Sequence, residues 1–595
     1  MTDTVVATTS AQDIETALTA HARVREAALL TRRTDDGTRT VAYVVPEPAA
    51  DTGRAGWGAG DVLESWQNVF DDTYEGADEP DGDGENSGWV DSFTGEAIPA
   101  QGMAEWAEES VRRVLALQPR RVLEIGAGTG IIMRRLLAGA PVEHYVATDF
   151  SARSVDLLDQ RAAELTADVP DTGVRVTVCQ ADALRAPQVV DEMYDTVVIN
   201  SVAQYFPSLY YFEEVVRRAA AVVRPGGHIL LGDLRNARLA EAFAALKAAR
   251  SAPAAGVVGQ AAVTAEEARQ AELAADGELS LDPAWLAATP TRVERVSHAE
   301  VAPRRGIHAN EMTLFRYDAL LHVDCPPQPA DPVQPATLVQ PPPASEDLRA
   351  LLEREPGPVV CRGVANRRLH EALGARDGVS PGDVPSTGLD PEQVWRLGEE
   401  LTRPARISWA SGDPDGAFDV FFPAAGSTDA DHFTLAGAEA AHTAATTGTA
   451  ARVASVVPYP PRTVKTAGDG LREHLARRLS TPVEPLDLVL VTALPEAPAD
   501  ASALPLPRPG VETASRKADA ARGGDLLGLV LEAFAQQLTA GACGPDDKFF
   551  AVGGGSLKAA MCVRRLREQG LKVTVRDIYQ CGTARALADH IAAKA

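Results

Sequence analysis

Basic charge is what this chain is short of. Its 57 lysines and arginines face 83 aspartates and glutamates, a formal net charge of −26. A surface of that sign repels phosphate backbones and anionic lipid, which argues against nucleic acid and membranes as main partners. No unbroken apolar run approaches the ~18 residues that a membrane-spanning helix needs. The opening Met1-Thr2-Asp3-Thr4-Val5-Val6 lacks the basic-then-apolar order of a signal peptide. Cysteine is sparse too: Cys179, Cys325, Cys361, Cys543, Cys562 and Cys581 are scattered and form no C-x-x-C pair. That speaks against a disulfide framework or a zinc site and makes a reducing cytoplasm the expected location. A G-x-S-x-G elbow, an H-E-x-x-H pair and a P-loop lysine are also missing, so hydrolase, metalloprotease and NTPase readings have nothing to rest on.

What is present points to several domains, since single cores stop growing well below 595 residues. Residues 11–46 read as a helix and then a strand, with Arg39 to Pro46 alternating like a half-buried strand. The acidic, glycine-rich stretch from Asp71 to Asn86 reads as loop. From about Met103 short apolar strands (121–125, 145–148, 174–178, 194–199) alternate with helical stretches, which predicts parallel βαβ units with right-handed crossovers. Cys325 to Ser345 holds eight prolines and reads as an extended linker. A late strand follows at Phe418 to Phe422, then a second proline-rich stretch, Pro495 to Gly510. Residues 522–595 are helical in periodicity, with Thr583 a cap for a final helix from Ala584 to Ala595.

Two runs carry chemistry. In Val122-Leu123-Glu124-Ile125-Gly126-Ala127-Gly128-Thr129-Gly130 a strand turns through glycines into a helix, so backbone can approach a ligand closely. A dinucleotide fingerprint, G-x-G-x-x-G, would need glycine or alanine at Ile131. The run is G-x-G-x-G after Glu124, the form used for S-adenosylmethionine. Further polar residues are expected at the carboxyl ends of the next strands, where open α/β sheets bind ligands. Asp149 is placed for both ribose hydroxyls, Asp182 and Ala183 for the adenine, and Asn200 for the methionine end. The second run, Asp546-Asp547-Lys548-Phe549-Phe550-Ala551-Val552-Gly553-Gly554-Gly555-Ser556-Leu557, sets a serine behind three glycines at the start of an amphipathic helix. A helix N-terminus favours an anionic group such as a phosphodiester.

The second run resembles the 4′-phosphopantetheine attachment site of the peptidyl carriers of nonribosomal peptide synthetases, with Ser556 as the attachment residue. The resemblance extends further. Gly88 to Pro99, Ala147 to Ser151, Asn200 to Pro207, Asn310 to Asp318 and Ile407-Ser408-Trp409 look like the N-methyltransferase domains of those synthetases, over roughly 60–425. In that family the methyltransferase sits inside the small C-terminal subdomain of an adenylation domain. Residues 11–46, Leu471 to Leu475 and Val489 to Pro495 resemble its two flanking pieces.

The resemblance implies a multidomain chain: 1–50, the first part of the adenylation subdomain; 60–425, an α/β Rossmann-like class I methyltransferase (core about 103–325, linker 325–345, small extra lobe 346–425); 430–510, the rest of a split α+β adenylation subdomain; and 522–595, a C-terminal four-helix carrier bundle. It implies S-adenosylmethionine and covalent phosphopantetheine as cofactors. Asn310 and Glu311, with Tyr205 and Asp233 behind them, are the residues it offers for orienting the acceptor. His308 is the histidine available as a base if carbon were methylated. The implied partners are a phosphopantetheinyl transferase, an adenylation protein acting in trans and a downstream condensation domain or synthetase module.

The departures from the family are specific. No adenylation phosphate loop or hinge occurs, and Glu496 to Ala501 stand where the family places an Asn-Gly-Lys stretch with the catalytic lysine. Gly555 stands where histidine or aspartate is usual. The expected activity is N-methylation of a tethered aminoacyl group, with C- or O-methylation or a non-catalytic scaffold as alternatives.

Overall fold

A computed structural model of the chain describes residues 11–21, 24–34, 37–46, 63, 66–67, 69–71, 74, 89, 91–94, 98–139, 141–168, 173–251, 264–276, 278–325, 337–339, 345–379, 388–426, 471, 474–475, 477–479, 487–490, 526–538, 544–549, 554 and 556–594. Pro495 to Gly510, Glu496 to Ala501 and most of the acidic stretch after Tyr74 lie outside them.

The chain begins with a helix, Ala11–Thr19, and two strands, β1 (Val24–Thr34) and β2 (Gly37–Pro46), paired antiparallel from Val24 opposite Pro46 to Thr34 opposite Gly37. A single strand was expected here. The polar run from Arg32 to Arg39 carries no period-two signal, which hid the hairpin. The helix lays Ile14 and Leu18 on Ala42 and Val44 of β2. The opposite face, Val41, Tyr43 and Val45, meets Tyr210, over whose ring the Arg25 guanidinium sits at 4.1 Å.

The large central sheet has seven strands. They are β3 (Arg121–Ile125), β4 (His144–Asp149), β5 (Arg175–Gln180), β6 (Tyr194–Asn200), β7 (Val223–Arg235), β8 (Val296–Pro303) and β9 (Arg316–Val323). Their order is β5-β4-β3-β6-β7-β9-β8. The first five run parallel, and β9 is antiparallel to both β7 and β8. The helices Ile131–Gly139, Ala152–Asp168 and Leu209–Val222 make crossovers. Their apolar faces and the buried strands β4 and β6 form a core closed on both sides, as parallel sheets require. Strand order reverses between β3 and β6, so their carboxyl ends diverge and leave a crevice.

A smaller sheet follows: β10 (Thr337–Val339), β11 (Val359–Val364), β12 (Arg406–Ser408) and β13 (Phe418–Phe422), in the order β10-β11-β13-β12. The proline-rich stretch expected to be a linker thus supplies an edge strand. Thr337-Leu338-Val339 are strand formers with no proline among them. This lobe shares the main core, with Trp409, Phe418 and Phe422 in one cluster with Tyr317 and Leu321. The Trp409 N–H donates to the Val301 carbonyl at 3.0 Å. The last strand, β14 (Asp487–Leu490), returns to the start of the chain and pairs parallel with β2, Asp487 opposite Val41. Leu471 and Leu475 pack with Ile14 beside it. Everything between is an insertion in a small sheet.

Among the described residues of 526–594 there are four helices: Leu526–Gln537, Ser556–Glu568, Val575–Cys581 and Ala584–Lys594. Phe534, Val563, Ile578, Leu587 and Ile591 make their shared core. The Thr583 hydroxyl accepts from the Ala586 N–H at 3.2 Å, the cap expected for the final helix.

Candidate functional site

The crevice at the ends of β3, β4 and β6 is a cleft whose floor is the glycine loop. Gly126, Gly128 and Gly130 have φ of +77°, +55° and +76°, conformations that side chains other than glycine rarely adopt. Space forbids a side chain as well. A Cβ on Gly126 would lie 2.4 Å from Val202 Cγ2, and one on Gly130 would lie 2.9 Å from Leu158 Cδ2. Gly126 and Gly128 line the cleft. Gly130 does not; its lack of a side chain lets the helix Ala152–Asp168 pack close behind the loop.

Asp149, 5% exposed, accepts the Gly128 N–H on Oδ2 and the Ser151 N–H on Oδ1, each at 2.9 Å. Burial pushes its carboxyl up to about 6, with those N–H groups pulling the other way. Glu124, 3% exposed, accepts the Tyr145 hydroxyl at 2.6 Å. Burial drives it to about 8, the Tyr145 bond opposing and the Asp149 charge adding. Asp182 Oδ1 accepts the N–H groups of Leu184 and Arg185 at 2.9 and 3.1 Å, so it fixes its own turn while facing the cleft. Ala183 and Asn200 also line the cleft. Asn200 fits only because its neighbour is Gly232, where a Cβ would sit 1.9 Å from Asn200 Oδ1.

Of the residues expected at the acceptor, Tyr205 alone lines the cleft. Asn310 caps the short helix Glu311–Phe315, its Oδ1 accepting the N–H groups of Met312 and Thr313. Glu311 is buried, ion-paired to Arg316, and accepts the Ser92 N–H at 3.1 Å. Asp233 is fully buried with φ +60° and takes 2.7 Å bonds from Arg316 Nη1 and the Ser201 hydroxyl. Burial works against its charge, but Arg316 and Arg304 hold it below the usual carboxylate range. Arg304 in turn bonds Asp318 at 2.7 Å. This alternating chain of charges stands behind the cleft and reaches it at Ser201. His308 pairs with Glu105 at 2.9 Å and is not among the residues lining the cleft.

The sequence reading missed the roof. Leu63, Trp66, Phe70 and Tyr74 are helical residues that line the cleft. Trp66 and Phe70 lie 4.6 and 5.0 Å from the Tyr205 ring. Tyr74 faces the loop, with its hydroxyl 3.1 Å from a Cβ built on Gly128. Their helical spacing was the available signal. Tyr579, from the C-terminal bundle, was missed as well.

The residues present fit S-adenosylmethionine: a cradle that side chains would fill, a buried acid at the end of β4, and a polar turn at Asp182. In the C-terminal bundle, Ser556 opens the helix Ser556–Glu568. Gly554 lies against Phe549, where a Cβ would be 2.4 Å from the ring.

Comparison with known proteins agrees. The family described as Methyltransferase domain matches residues 123–229, and the Phosphopantetheine attachment site family matches 528–591. The chain therefore carries a methyltransferase domain, with S-adenosylmethionine as its cofactor, and a phosphopantetheine attachment domain. Its relatives are nonribosomal peptide synthetases. Chondramide synthase cmdD of Chondromyces crocatus is 33% identical over 97% of this chain and 15% of its own length. The probable non-canonical nonribosomal peptide synthetase CymA of Salinispora arenicola is 30% identical over 97% of this chain and 7% of its own. The chain thus spans a small fraction of these relatives. Among solved structures, the N-methyltransferase NodS of Bradyrhizobium japonicum with S-adenosyl-L-homocysteine is similar over 43% of this chain and 98% of its own, at 15% identity and a TM-score of 0.25. Among the described residues no helix is long and apolar enough to cross a membrane, and no cluster of three or more metal-ligating side chains occurs.

Proposed function

We propose that the protein methylates the α-nitrogen of an aminoacyl group held as a thioester on phosphopantetheine at Ser556. Glu124, Gly126, Gly128, Asp149, Asp182, Ala183 and Asn200 hold S-adenosylmethionine, with Gly130 shaping the loop. Tyr205 faces the acceptor, and Asn310, Glu311 and Asp233 support that wall from behind. When bound, the cofactor supplies an electrophilic methyl group on a sulfonium. The amine nitrogen would displace that methyl from sulfur, the carbon–sulfur electron pair leaving with S-adenosylhomocysteine, and would then give up a proton to solvent. A free α-amino group has a pKa of roughly 8, so no strong base is needed. The protein's part is to position the two reactants and keep water out.

The observation that carries this reading is the aromatic wall of Trp66, Phe70 and Tyr205. Burial holds the Tyr205 phenol well above its ordinary range, hence neutral. Ring faces favour the positive charge shared by nitrogen, methyl and sulfur, and a neutral phenol does not deprotonate carbon. Residues 11–46 and 471–490, joined in the sheet of β1, β2 and β14, are the two parts of the adenylation subdomain. The amino acid is activated by an adenylation protein in trans, and a condensation domain or synthetase module takes the product.

The test uses the holo-protein loaded with aminoacyl groups and given S-adenosylmethionine, the arm being followed by mass spectrometry. Gain of one methyl mass with free amines and none with N-blocked substrates is expected. Methylation of N-blocked substrates would establish C- or O-methylation instead. No gain with any acyl group sinks the enzymatic reading.

A further inference from the structure

Among the described residues the cleft is lined by residues between Leu63 and Tyr211 with one exception, Tyr579, which belongs to the carrier. It shares the cleft lining with Tyr205. The helix that presents it, Val575–Cys581, is fixed at both ends. Thr574 and Asp577 form a capping box at the start, and Gly582 closes the end in a left-handed conformation. Asp577 is also held by His590 and Lys594, each at 2.8 Å. Ile578 is buried in the carrier core, while Tyr579 is only partly buried and packs against it. The same core joins this helix to the one that opens at Ser556.

We infer that Tyr579 is a docking and positioning residue for methyl transfer: through it the carrier completes the aromatic wall of the cleft, so that transfer takes place with the carrier seated. The inference rests on the reading that the acceptor rides on Ser556. Seating by a rigid helix limits the positions from which the arm can enter, lowering the entropy cost of bringing acceptor to methyl group. It also places a ring at the solvent side of the site, where water must be excluded.

The full-length holo-protein, loaded at Ser556 and mixed with S-adenosylmethionine, gives a single-turnover rate by intact-mass spectrometry. Tyr579→Ala is expected to lower that rate roughly tenfold, as loss of an interface aromatic does. Tyr579→Phe restores most of it, and transfer to a free aminoacyl N-acetylcysteamine thioester falls by clearly less than transfer to the tethered acceptor. An unchanged rate on the tethered acceptor overturns the proposal, as does an equal loss toward both acceptors. Phosphopantetheine loading is measured alongside; a loss of loading that accounts for the loss of transfer assigns Tyr579 to the carrier's own core and overturns the proposal too. If the wild type methylates neither acceptor, the reading of the acceptor fails instead. Docking is then decided by hydrogen exchange of residues 63–74. Faster exchange in Tyr579→Ala supports it, and unchanged exchange overturns it.

Discussion

Asp149 and Glu124 tie cofactor binding and stability to pH in different windows. In the proposed site Asp149 takes both ribose hydroxyls, most strongly when charged, and burial holds its carboxyl up at about 6. Below that value a proton must leave on binding, so the Kd for S-adenosylhomocysteine should rise by up to about tenfold per pH unit. Calorimetry across this range tests the point, and a flat Kd refutes it. Glu124 acts on the fold. Its carboxyl is raised from 4.5 to about 8 in the folded protein, so folding favours the protonated form. That contribution is fully present below 4.5 and is lost as pH rises through about 8. The melting temperature of ligand-free Glu124→Gln, taken relative to wild type, should therefore rise as pH is raised from about 4.5 to about 8 and stay level above it. Gly126→Ala meets both a left-handed φ and the Val202 side chain. The conformation alone costs about 1–2 kcal/mol, and a rise in Kd of roughly tenfold or more is expected. These positions were legible in the sequence because chemistry restricts each of them to one residue type.

Elements were less legible where partners lie far away in the chain. Strands β3 to β6 announce themselves as apolar runs, and the expected boundaries fall close to the observed ones. The helical residues Leu63, Trp66, Phe70 and Tyr74 have the right spacing, but acidic and glycine-rich sequence follows at once, and Asp71 was read as loop. What makes this a roof is contact with Tyr205 and Phe150, residues on other elements. Phe70→Ala should weaken S-adenosylhomocysteine binding while leaving carrier loading at Ser556 unchanged, a pair of measurements that separates roof damage from global unfolding. The motif from Asn310 to Asp318 was visible, but its work was not. Whether a buried acid meets substrate or an arginine is settled by tertiary structure. Arg316 stands between Asp233 and Glu311, both buried. Arg316→Ala strands Glu311 and leaves Asp233 with Arg304 at 3.7 Å, and should cost about 3–5 kcal/mol of stability, read as a fall in melting temperature greater than that of Arg217→Ala on the exposed surface.

At the scale of the whole molecule, the pairing of β14 with β2 gathers the ends of a very long insertion. The small sheet then sits on the helix Leu209–Val222 through Tyr210. The carrier's serine and the cleft are parts of one chain, so under the proposed function methylation is an intramolecular event. Tethering through a flexible link gives effective concentrations of about millimolar, far above the micromolar concentration of an added acceptor. The consequence can be measured by dividing the two functions between two copies. Chains with both Gly126→Ala and Asp149→Ala keep a carrier but lose the cofactor site, and Ser556→Ala chains keep the site but lose the tether. Mixed at micromolar concentration, they should methylate about 100-fold or more slowly than wild type, at a rate that climbs with concentration. Wild type should show a first-order rate independent of concentration. Equal rates for mixture and wild type would mean that carriers serve neighbouring copies as readily as their own, and that the seating of Tyr579 in the cleft confers no advantage on the tethered partner.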